Sequence, residues 1–152
     1  MNARIPLDPF ALGQPALWDP ETERNALGLA MLARPMPPWL APEHFYPTQH
    51  QRIYEAVQTV GGHVVGVNVW LRESASKWGP PIAGAVDLVE MCLEAEHAER
   101  MGWAVDFERL RELAKQRALL ETLQRLAIRL RHGDVSHAEA RRALSEHFQE
   151  AK

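Results

Sequence analysis

The sequence is poor in the residue types on which most recognisable chemistry depends. Its single cysteine, Cys92, excludes an intrachain disulfide and a cysteine-built zinc cluster, and suits a reducing compartment. Its three lysines, Lys77, Lys115 and Lys152, follow Ser76, Ala114 and Ala151. None has the glycine before it that a phosphate-binding loop requires, so nucleotide hydrolysis by this chain is not expected. G-x-G-x-x-G, G-x-S-x-G and H-E-x-x-H are also missing. The longest apolar stretch, Ala26 to Ala33 with Gly28 included, is far short of the roughly 20 residues that cross a bilayer. Large charge excess is missing too: 17 basic and 20 acidic side chains leave −3, unlike a protein that coats nucleic acid. The first residues break into Pro6, Asp8 and Pro9 without the apolar core of a secretory signal. The expectation is a cytoplasmic protein with no membrane span and no cofactor.

What is present is enough for one ordinary domain, or for a compact head with a helical appendage: 152 residues, 46% of them hydrophobic. Nine of the 11 prolines lie at or before Pro47, and after Gly102 the only glycine is Gly133. Short elements are therefore expected in the first half and long helices in the second. Residues 1–18 read as a loose arm, 19–100 as a helical head and 101–152 as a helical hairpin, an all-α fold throughout. Asp19-Pro20-Glu21 opens the first helix, with Asp capping and Pro at the first helical position, and Ala26, Leu27, Ala30 and Met31 form its apolar stripe. Pro42 to Tyr46 makes about one turn. Thr48 to Gln51 fits a capping box, and Ile53, Tyr54, Val57 and Val60 carry a helix to Gly61. Val64 to Val67 is strand-like, but alone it has no pairing partner and reads as a loop. Helices are expected over about 68–77, burying Val69, Trp70 and Leu71, and over about 82–94, with Val86, Val89 and Leu93 on one face.

Between Trp103 and Arg131 there is neither Gly nor Pro, and Phe107, Leu110, Leu113, Leu120, Leu123, Ala127 and Leu130 recur at helical spacing. One long helix follows, on the order of 40 Å at about 1.5 Å per residue. His132-Gly133-Asp134 ends it, and Ser136 to Glu139 is a second capping box before a helix striped by Ala140, Ala143, Leu144, His147 and Phe148. A short loop makes the two helices an antiparallel hairpin. Leu119, Leu126 and Ile128 lie off the main stripe and ask for a second cover. Residues 43–100 hold four basic and eight acidic side chains, and 109–131 hold seven and two, so an acidic head precedes a basic helix.

No constellation of catalytic type emerges. Glu94-x-x-His97 has metal-ligand spacing, yet the second copy that a di-iron bundle needs is missing, and charges near a helix end explain the segment. His44 and His50 lack a nucleophile nearby and read as packing or capping residues. Cys92, between Met91 and Leu93, reads as a small buried side chain. Trp18, Trp39, Trp70, Trp78 and Trp103 are too scattered for a base-stacking platform.

The order of segments resembles the N-terminal domain of bacterial replicative DNA helicases of the DnaB type. Asp19-Pro20-Glu21-Thr22-Glu23 leading into Ala26 to Leu32 looks like that family's opening helix. Glu43-His44-Phe45-Tyr46 with His50 to Val57 is similar to its next segment. Ile82 to Val89 resembles its glycine-centred helix, and Trp103 to Leu120, with Arg117, resembles the helix that begins its hairpin. Gly66, Trp103 and Ala83 depart from the family pattern, which normally has Asp, Tyr and Gly there. The resemblance implies a globular head and a hairpin, and hairpins that pair between subunits in a collar that receives primase. The ATPase motor of that family lies beyond the corresponding segment. The chain is expected to be either an excised domain or a free-standing relative, non-enzymatic in itself.

Expected self-association residues are Leu119, Leu123, Leu126, Leu130, Leu144 and Phe148. Expected partner or nucleic-acid contacts are Arg117, Arg125, Arg129 and Arg131, with DNA engaged only indirectly. Expected partners are a second copy of the chain, primase, and a replicative helicase or its loader. The alternatives are the helicase-binding domain of a primase, which shares the head-plus-hairpin design, and a small DNA-binding protein using the basic face of the long helix.

Overall fold

Asp19 starts the first helix as the sequence requires: its Oδ1 accepts the Thr22 N–H at 3.1 Å, and Pro20 occupies the first helical position. The computed structural model of the chain describes residues 17–75 and 84–150, the side chains of Phe148 and Glu150 excepted. The described part is all-helical. Its α-helices are α1 (Pro20–Met31), α2 (Thr48–Val60), α3 (Val64–Glu73), α4 (Ala85–Arg100), α5 (Phe107–Arg131) and α6 (His137–Glu150), with a 3-10 turn at Pro42–His44. The chain divides into two units, one formed by Trp18–Arg111 and one containing Glu112–Lys152, so the head extends past the expected boundary at residue 100.

In the head, α1 is the central element and buries Ala26, Leu27, Ala30 and Met31. It packs most extensively against α4 and also touches α2. Gly28 makes this possible, because a Cβ there would lie 2.6 Å from the Ala95 Cβ, too close for two real atoms. Phe45, Ile53, Tyr54, Val67, Leu71, Leu88 and Leu110 complete the core, and Val57 sits half-buried at its edge. Leu110 and the half-buried Val105 and Phe107 belong to this core, which is why the head reaches residue 111.

Several expectations are corrected. Val64 to Val67 is the first turn of α3, its Val67 N–H donating to the His63 carbonyl at 3.0 Å. With no strand partner, helix formation is how this β-branched run satisfies its own backbone. Accordingly α3 ends at Glu73 and buries Val67 and Leu71, leaving Val69 46% exposed and Trp70 half-buried. Helix α4 continues to Arg100, and the face it buries is Leu88, Met91, Cys92, Ala95 and Ala98, while Val86, Val89 and Leu93 face solvent. The capping box at Thr48 does not form: Pro47 is the N-cap, and Gln51 donates to the Phe45 carbonyl at 2.9 Å. Helix α5 begins at Phe107, not Trp103, since Asp106 Oδ1 accepts the Arg109 N–H at 3.1 Å. Residues 1–16 of the expected arm and the segment 76–83, with Trp78 and Ile82, lie outside the described residues.

In the other unit, the capping box at α6 is formed as read: Ser136 Oγ accepts the Glu139 N–H at 3.2 Å and Glu139 Oε2 accepts the Ser136 N–H at 3.4 Å. The turn at 132–136 contains Gly133 with φ 72°, a left-handed conformation that glycine adopts at little cost. Leu126 at the end of α5 shares a buried cluster with Val135 and Ala140, and Ala143 and Leu144 pack on it.

Candidate protein-interaction surfaces

The six expected self-association residues have different fates. Leu126 is buried in the cluster with Val135 and Ala140, so it holds the two helices of its own hairpin together and is not left over for a second copy. The buried cluster is built on Leu126 and not on the stripe through Leu123, Ala127 and Leu130. Leu119, Leu123 and Leu144 are half-buried, and Leu130 is 44% exposed. The Phe148 side chain lies outside the described residues. Ile128, on the opposite face, is 54% exposed.

The four arginines also divide. Arg117 is half-buried and donates from Nη1 to the Leu17 carbonyl at 2.7 Å, a contact inside its own unit. Arg125 pairs with Glu121 one turn earlier at 2.8 Å, both largely exposed, a pairing worth a few tenths of a kcal/mol (~0.3–0.5). Arg129 and Arg131 stand exposed at the end of α5 around Ile128.

In the head, a buried polar group that the sequence reading passed over ties three segments together. Glu23 on α1 is fully buried, and its carboxylate accepts the Tyr46 N–H at 3.0 and 3.2 Å and meets His50 Nδ1 of α2 at 2.8 Å. A buried carboxylate needs such partners to offset its lost hydration. The only sequence hint was that Glu23 falls one turn before the apolar stripe of α1. His44 has the capping role expected of it: its Nδ1 accepts the Ala41 N–H at 2.9 Å, and its ring meets Trp39 edge-on.

Glu94 and His97 have separate partners. Arg24 holds Glu94 in a two-pronged ion pair at 3.0 and 3.1 Å, and His97 stacks edge-on against Trp103 with 5.9 Å between ring centroids. Among the described residues no group of three or more His, Cys, Asp and Glu is gathered that could hold a metal ion. No described helix is long and apolar enough to cross a membrane.

The head also leaves large apolar side chains in water. Val86, Val89 and Leu93 of α4 are 71%, 44% and 58% exposed, and Val65 of α3 is 72% exposed. Between the two helices runs a groove of about 410 Å³ whose lining includes Met31, Leu32, Val64 and Cys92. Burial pushes the Cys92 thiol pKa up, which keeps it protonated and unreactive. Glu96 stands at the groove, paired with Arg100 at 2.8 Å.

Comparison with protein families, with curated proteins and with solved structures gives no match for this chain.

Proposed function

We propose that the chain is a non-catalytic self-association and partner-docking module of the DNA replication machinery. It would act as the N-terminal collar domain of a DnaB-type helicase acts, pairing with a second copy through its hairpin and receiving primase, helicase or loader. The reading rests on the ordered resemblance of residues 19–131 to that family. The observation that carries its self-association part is the apolar surface remaining on one face of α5 after the hairpin has formed: Leu130 exposed, Leu119 and Leu123 half-buried. Helices of this kind gain about 25 cal/mol per Å² of apolar area covered, against the entropic cost of association. Polar ends of the same helix, Arg125, Arg129 and Arg131, would set register and partner choice more than affinity.

Sedimentation velocity tests the pairing, and co-elution with a DnaB-type helicase and with its primase tests the replication role. A dimer at micromolar concentration that Leu130→Asp and Leu123→Asp convert to folded monomer is the expected result. A chain still monomeric at about 100 µM, well above the range of specific dimers, overturns the pairing. DNA affinity falling steeply with salt, without co-elution, would favour the DNA-binding alternative.

A further inference from the structure

The exposed stripe on the head is not a by-product of an incomplete core. Helix α4 already buries a full face through Leu88, Met91, Cys92 and Ala95, and α3 buries Val67 and Leu71. Beyond those faces, Val86, Val89 and Leu93 repeat at spacings of three and four residues, and Val65 and Val69 are one turn apart on α3. Val65, Val89 and Leu93 line the groove beside His63 and Glu96, and Val69 and Val86 continue the two stripes by a turn, a form of surface into which an amphipathic helix lays its own apolar face.

Charge selects the occupant. Helix α4 carries Asp87, Glu90, Glu94, Glu96 and Glu99 against the single Arg100. Arg24 and Arg34 pair with Glu94 and Glu99 from the α1 side, the Arg24 charge also acts on Asp87 and Glu90, and Asp87 Oδ2 accepts the Gly84 N–H, yet five carboxylates against Arg24, Arg34 and Arg100 leave the helix acidic, with Asp87 and Glu90 exposed. A second copy is poorly suited. Pairing α4 with α4 would bring two acidic helices together, and the exposed large apolar residues described outside the head are Ile128 and Leu130 alone. Those two lie about 200° apart around α5 at roughly 100° per residue, so one groove cannot take both.

We infer that the α3–α4 groove docks an amphipathic helix of a different protein, one with apolar residues at i, i+3 or i+4 and i+7 and with Lys or Arg flanking them. The two stripes supply apolar contact and the carboxylates of α4 orient the basic flanks. This does not rest on hairpin pairing or on a role in replication.

The test uses the full chain and a labelled synthetic helix of about 18 residues, or five turns, with Leu at the anchor spacing and Lys elsewhere. A matched peptide with Glu replacing Lys is the comparison. Fluorescence anisotropy is expected to show binding of the Lys peptide only, weakened by salt. Leu93→Glu and Val65→Glu, both at exposed positions, are expected to weaken it by about tenfold or more, whereas Ile128→Glu leaves it unchanged. Amide chemical shifts are expected to move on α3 and α4. Equal binding of both peptides, shifts scattered over the surface, or indifference to Leu93→Glu overturns the proposal. So does a self-association that Leu93→Glu abolishes, since the occupant would then be a second copy. Loss of the hairpin dimer on Leu130→Asp, with peptide binding intact, leaves it standing.

Discussion

Gly28 of α1 lies directly against the backbone of Met91 in α4: a Cβ at residue 28 would fall 2.8 Å from the Met91 carbonyl carbon and clash with its oxygen. Gly66, also inside a helix, is different, since a Cβ there would meet the Val60 Cγ2 at an ordinary 3.5 Å. The two glycines therefore respond oppositely to the same change. Gly66→Ala is expected to stabilise by up to ~1 kcal/mol, the propensity gain of alanine over glycine in a helix. Gly28→Ala is expected to destabilise by about 1–3 kcal/mol, because backbone must move apart to admit the methyl group. Urea unfolding of both variants checks the signs, and a neutral Gly28→Ala would mean that α1 and α4 separate freely.

Glu23→Ala removes the acceptor of the Tyr46 N–H and the partner of His50 in one step. The expected cost is about 3 kcal/mol, since it strands buried polar groups without compensation. Glu23→Gln keeps a carbonyl oxygen for Tyr46 and is expected to cost less. A denaturation midpoint shift equivalent to under about 1 kcal/mol for Glu23→Ala would show the network to be dispensable.

Asp19 gives stability a dependence on acid. Burial pushes its carboxyl pKa up, but hydrogen bonds from Thr22 and from Arg109, with the Arg109 charge, outweigh this and leave it below the usual aspartate value. The Arg109 Nε donates to its Oδ2 at 2.6 Å. A carboxyl lowered in the folded state contributes stability that is present above the unfolded value and lost as pH falls through the folded one. Asp19→Ala is therefore expected to cost about 1 kcal/mol at neutral pH, with the gap to wild type closing as pH drops below about 4. Thermal melts of both proteins across that range check it, and a gap independent of pH would assign the effect to something other than the carboxylate.

Leu27→Ala empties a fully buried site and is expected to cost roughly 2–5 kcal/mol. Leu126→Asp places a charge inside the cluster of the hairpin and is expected to loosen α6, lowering helicity by circular dichroism. Leu130→Asp, at an exposed position, is expected to leave helicity unchanged. A Leu126→Asp protein with wild-type helicity would mean that the hairpin is held elsewhere.

What the sequence by itself determined is what depends on near neighbours in the chain. The Asp19 and Ser136 caps, the end of α5 before Gly133, and the stripe Ala26, Leu27, Ala30 and Met31 were legible because capping and 3.6-residue periodicity act over a few residues. Tertiary structure alone decided the rest. In α4 two apolar faces compete, and Leu88, Met91 and Ala95 win over Val86, Val89 and Leu93 because the small Gly28 and Ala95 let α1 approach on that side. Glu23 looked like another acid in a first turn until α2 brought His50 and the chain before it brought the Tyr46 N–H. Leu126 looked spare until α6 packed on it, and Val64 to Val67 looked like a loop until helix hydrogen bonds replaced a missing strand partner. Of the residues singled out for surfaces, Leu130, Arg129 and Arg131 stand exposed, while Leu126 and Arg117 are taken up within their own unit. Local rules state which residues are apolar or can cap, but which of two apolar faces goes inside depends on the shape and charge of whatever packs against it, and that partner is distant in the chain.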